Sequence, residues 1–82
     1  VSPKLYTILL DLVNDNREDL AELVLKIDYL IEYANNAIKG KDKEEAKEAL
    51  EKAEERMKIL KKANVDVSHL EYLRDVVKKK SI

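Results

Sequence analysis

Eighty-two residues make one domain, residues 1–82, with no room for a second core. The chain is 45% apolar and 40% charged, with 16 Lys and Arg against 17 Asp and Glu, as expected of a soluble, surface-charged fold. A net charge of −1 sets up no field for nucleic acid or an anionic membrane, and the absence of cysteine excludes thiol chemistry and disulfides.

The first predicted element is a helix over residues 3–13. Ser2 is a suitable N-cap, and Pro3 takes the first helical position, where its missing N–H costs nothing. The cluster Asn14-Asp15-Asn16 stops it, because these residues favour turns and left-handed backbone. A second helix is predicted over residues 17–39, capped by Asp15 or Asn16, with Glu18 and Asp19 in its positive first turn. Gly40, the only glycine, is expected in the left-handed position after that helix.

Asp42 and Glu45 read as a capping box opening a third helix over residues 43–63. Lys58, Lys61 and Lys62 suit its negative end, Asn64 suits a left-handed cap, and Val65 is placed to touch Leu60. A fourth helix, residues 69–80, opens on a second box, Ser68 and Glu71, with Val67 and Tyr72 spaced as a hydrophobic staple. Its closing lysines, Lys78 to Lys80, read as the cationic end of a helix dipole; a basic patch is the competing reading.

The expected fold is therefore all-α: an antiparallel four-helix bundle with two short helices (first and fourth) and two long ones (second and third). Short connections place the first helix along the N-terminal half of the second. They place the fourth along the C-terminal half of the third, so one end should be a four-helix bundle and the other a bare hairpin tipped by Gly40. The expected large core is Leu5, Ile8, Leu9, Leu12, Leu20, Leu23, Val24, Ile27, Met57, Leu60, Leu70, Leu73 and Val77, with Ala46, Ala49, Leu50 and Ala53 towards the tip.

The catalytic inventory is poor. His69 stands alone with only Asp66 near it in sequence, too few groups for a metal site. The acidic stretch of the third helix alternates charge with Ala and Leu and offers the i,i+4 pairs Glu48–Lys52 and Glu54–Lys58, as a solvated helix face does. No phosphate loop, Ca²⁺ loop, Glu-x-x-His pair or nucleophile elbow occurs. The expectation is a non-enzymatic chain with no cofactor, no metal and no small-molecule substrate. No apolar run is long enough to span a bilayer, and Val1-Ser2-Pro3 does not open a signal peptide; without an initiator Met, the chain reads as processed, trimmed or cut from a longer one.

The second helix carries a surplus. With Leu20 at zero, its core residues cluster within about 80° on either side, apart from Ala37 slightly outside, whereas Leu25, Tyr29 and Tyr33 fall near ~140°, ~180° and ~220°. On the first helix, Tyr6, Leu10 and Val13 widen the apolar arc to roughly 200°, more than a surface helix needs. Antiparallel pairing brings Leu10 towards Ala21, and Tyr6 towards Leu25 or Tyr29. Three readings stand. Tyr6, Leu10, Leu25, Tyr29 and Tyr33 anchor a protein-binding face; or they form a homodimer seam; or the tyrosines pack on the Val1–Pro3 segment with their hydroxyls in water.

The stretch "DKEEAKEALEKAEERMKILKKAN", residues 42–64, resembles computationally designed (de novo) helical bundles in its Glu/Lys/Ala/Leu bias and capped ends. That resemblance implies a designed or redesigned scaffold. A shorter stretch, "DYLIEYANNA", is similar to the Asp-Tyr and Asn-Asn-Ala spacing of albumin-binding three-helix modules of bacterial surface proteins. The likeness is confined to those residues, the helix here is much longer, and no binding residue carries over.

Overall fold

The computed structural model describes residues 3–80, so the expected Ser2 cap and the Val1 and Ser2 part of the packing segment lie outside the described residues. Four helices follow in order: α1 (Pro3–Asn14), α2 (Glu18–Lys39), α3 (Lys43–Lys62) and α4 (Ser68–Lys80). No strand occurs among the described residues. The architecture is the expected all-α bundle of two long and two short helices.

The three connections share one geometry. After α1, the Asn16 N–H donates to the Val13 carbonyl and the Arg17 N–H to the Leu12 carbonyl, with Asn16 left-handed at φ 59°. After α3, Asn64 donates to Lys61 and Val65 to Leu60, with Asn64 at φ 63°. After α2, Lys41 donates to Ile38 and Asp42 to Ala37, with Lys41 at φ 64°. Each is a Schellman turn, in which two amides satisfy carbonyls that the helix end would otherwise orphan.

Gly40 is thus not the left-handed residue. Its φ is −82°, and the strained position falls one residue later, on Lys41. The register follows from the next helix: Asp42 must stand at the N-cap of α3, where its carboxylate accepts from the Glu45 N–H at 3.1 Å.

Two other caps depart from expectation. At α2 the N-cap position is Arg17, which makes no side-chain cap bond; instead its guanidinium pairs with Asp19 at 3.2 Å. At α4 the Asp66 carboxylate accepts from the Ser68 N–H at 3.0 Å, and that bond is the main reason its pKa is lowered. Glu71 ion-pairs with Lys61 on α3 at 3.0 Å, so neither expected capping box is reciprocal. Of the expected staple pair, Val67 is buried, whereas Tyr72 is exposed and stacks on His69, centroids 6.4 Å apart.

α2 packs mainly against α3. Ala34, Ala46, Ala49 and Ala53 are all buried on these two helices, so the pair closes on small side chains. The larger core members are buried or half-buried as expected, from Leu5 and Leu12 on α1 to Leu70 and Val77 on α4.

The hairpin is not bare towards its tip. Lys78 on α4 reaches Glu54 at 3.0 Å, and Lys80 reaches the Asn35 side-chain oxygen at 3.1 Å, one turn before α2 ends. Meanwhile Ile8, Asp11 and Leu12 of α1 share a groove with Ala63–Asp66, and Pro3 and Lys4 share another with Ser68, His69 and Tyr72. The two short helices thus occupy successive lengths of one flank, with their first turns adjacent. Val65 and Val67, drawn into the core, carry the chain along the bundle before α4 starts. The result is an elongated body of 40 × 23 × 16 Å.

Glu54 accepts both Lys78 and Arg74 of α4, where a pairing with Lys58 along α3 was expected. The lysine end of α4 is therefore engaged in holding the helix to its neighbours. Asp28, half-buried on α2, has its pKa raised first by burial and then by Glu32; His69 opposes the shift.

Gly40→Ala is expected to stabilise the fold by about 0.5–1 kcal/mol, because the new Cβ meets only the Ala37 and Asn36 carbonyl oxygens at 3.6 Å, ordinary contact. Lys41→Gly should add a similar gain by removing the left-handed penalty. Urea unfolding of the two variants checks both; a loss at Gly40 would return the left-handed role to that residue. Ala53→Leu, at a fully buried seam position, should cost about 1–3 kcal/mol, read as a lower urea midpoint at unchanged slope.

Candidate interaction surface

Tyr6, Leu10, Leu25, Tyr29 and Tyr33 all lie on the surface, from 39% exposed at Tyr33 to 67% at Tyr29. None belongs to the buried core, which is complete without them. The reason is positional. α2 turns Leu20, Val24, Ile27, Ile31 and Ala34 inward, so residues spaced four apart on the reverse side point away from the core.

Tyr29 and Tyr33 are brought together, with ring centroids 6.3 Å apart and planes tilted by 38°. That arrangement is an ordinary attractive aromatic pair. The Tyr33 hydroxyl donates to the Glu45 carboxylate on α3 at 3.0 Å, which explains why Glu45 does not turn back to its own helix start. Beside the pair lies a groove of about 160 Å³ between α2 and α3, lined by Leu30, Ala49, Glu45, Glu48 and Lys52. The tyrosine hydroxyl thus has a specific partner on α3.

Leu25 continues the row one turn earlier. Tyr6 and Leu10 lie on α1, which runs back along α2 from the turn at Asn16, so the antiparallel register sets them level with this part of α2. Val13 is exposed on the same side of α1. Two exposed apolar residues escaped the sequence reading. Ile59 on α3 occupies a position that α4 does not cover, and Tyr72 was assigned to a staple; the only signal at Ile59 was its place among Lys58, Lys61 and Lys62.

Chemically the surface offers contact area, one oriented carboxylate and hydroxyl groups. Among the described residues no three His, Asp or Glu side chains converge on a point where a metal ion might sit. No helix among them is long and apolar enough to cross a membrane.

Comparison with known proteins adds no relative: no protein-family model, curated protein or solved structure matches the chain.

The Tyr33 phenol has its pKa raised above the usual value near 10, chiefly because its proton is shared with Glu45 and the carboxylate's charge opposes a phenolate. The bond to Glu45 therefore contributes stability below the unfolded phenol pKa and loses it as pH rises through the higher folded value. Glu45→Gln should bring the Tyr33 titration back towards the ordinary range. Absorbance near the phenolate band, in a chain with Tyr6, Tyr29 and Tyr72 changed to Phe, reads it; an unmoved titration would mean that the bond is not made in solution.

Proposed function

We propose that this chain is a non-enzymatic helical scaffold that presents an apolar, tyrosine-containing surface on α1 and α2 to a protein partner. The observation carrying this reading is the exposure of Leu25, Tyr29 and Tyr33 as a single row on a helix whose other face already closes the core. Scattered exposed hydrophobics need no explanation, but a contiguous row of large ones is a feature of association surfaces. Tyrosine is well suited to such a role, since it offers a large rigid body and a polar tip at little entropic cost. The likeness of residues 42–64 to designed bundles supports reading the chain as a designed or redesigned scaffold, with α3 serving to hold the α1–α2 surface in place.

Tyr29→Lys with Tyr33→Lys tests this directly. The thermal midpoint of the double variant should stay within a few degrees of the parent, since neither ring fills the core and the bond to Glu45 is solvent-exposed. A fall as large as that of a core truncation such as Leu60→Ala, about 2–5 kcal/mol, would make the row part of the fold and remove the proposal. Light scattering on the parent chain adds the second arm: a stable dimer abolished by the same two changes would assign the row to self-association.

A further inference from the structure

The row on α2 is an i, i+4, i+8 ridge, the surface element by which one helix interdigitates with another. Its surroundings are not neutral. Glu18, Glu22 and Glu32 are exposed on α2, and Glu45 and Glu48 are exposed on α3 at the edge of the tyrosine groove, against Lys26 and Lys52. The bias extends to the whole α1–α2 segment: residues 3–39 carry Lys4, Arg17, Lys26 and Lys39 against seven carboxylates, although the chain as a whole is almost balanced.

We propose, resting on the interaction reading above, that the occupant of this face is a basic amphipathic helix of a partner protein. Its apolar ridge lies beside Leu25, Tyr29 and Tyr33, and its lysines or arginines meet Glu22, Glu32, Glu45 and Glu48. Three properties of the face select that occupant. An acidic rim steers a cationic partner during encounter and repels an anionic one. The paired tyrosine rings offer π faces to an ammonium or guanidinium group, and the Tyr33 hydroxyl holds the Glu45 carboxylate at the groove. A second copy of this chain is a poorer fit, because its face would bring the same net negative rim, Glu18, Glu22, Glu32, Glu45 and Glu48 against Lys26 and Lys52.

The probe is a pair of synthetic helical peptides with one leucine stripe, differing only in whether Lys or Glu flanks it, titrated onto the ¹⁵N-labelled full chain. The lysine peptide should bind at least about tenfold more tightly at low salt and shift the resonances of Leu25, Tyr29 and Tyr33. Its advantage should shrink on going from about 50 mM to about 300 mM salt, as screening predicts. Glu45→Gln with Glu48→Gln should narrow the gap between the peptides, and Tyr29→Ala with Tyr33→Ala should weaken both. Equal binding of the two peptides, binding of neither, shifts confined to other helices, or a stable dimer of the chain alone each overturns the proposal. The two levels separate cleanly. Equal binding that the tyrosine variant still abolishes removes only the partner's charge, whereas lysine-peptide binding that survives that variant removes the interaction surface itself.

Discussion

The close pairing of α2 with α3 is the constraint from which the other features follow. Two helices of 22 and 20 residues lie antiparallel with alanines buried between them, Ala34 on one and Ala46, Ala49 and Ala53 on the other. Small side chains at these positions let the backbones approach, and dispersion contacts along the seam then accumulate over its whole length. Neither short helix has that reach. At about 18 Å each, α1 and α4 cover successive lengths of the hairpin, and their combined length matches the 40 Å long axis better than either would alone.

This tandem placement was the part of the fold least legible in the sequence. Helix positions and the core were readable because periodicity marks them: every large residue expected inside, from Leu5 to Val77, is buried or half-buried. The point along the bundle at which α4 starts depends instead on whether Val65 and Val67 are turn residues or core residues, and no local pattern decides that. Both pack inward, and the connection is consequently spent travelling along the bundle. The same competition displaced the polar signals. Glu71 and Glu45 have the spacing of capping boxes, but Lys61 and the Tyr33 hydroxyl, both distant in sequence, hold their carboxylates. A local motif states which bonds are available, and tertiary neighbours determine which are made.

The turns show that distinction at the level of one residue. Asn16 and Asn64 were readable as left-handed caps because asparagine tolerates that backbone better than most residues, and both adopt it. Glycine tolerates it better still, yet Gly40 stands outside the strained position while Lys41 occupies it. The Schellman register counts back from Asp42, whose Ala37 bond closes the turn and whose side chain caps α3. With two functions fixed at Asp42, the left-handed residue must be its immediate predecessor, and glycine is left one place early.

The tyrosine row was fully legible as a second stripe, and its meaning depends on how the same helix is shared out. α2 borders α3 on one flank and the two short helices on the other, which leaves a single open side on which Leu25, Tyr29 and Tyr33 lie. A designed or natural core has no use for that side, so its residues are free to answer to solubility or to a partner. Solubility alone would favour Lys and Glu in every turn. The glutamates are present but stand to either side of the row, at Glu22 and Glu32, where they keep an apolar ridge hydrated while leaving its crest uncovered. An acidic rim around an apolar crest also adds like-charge repulsion to any stacking of two such faces, and under the proposed reading the same rim would favour a helix of opposite charge.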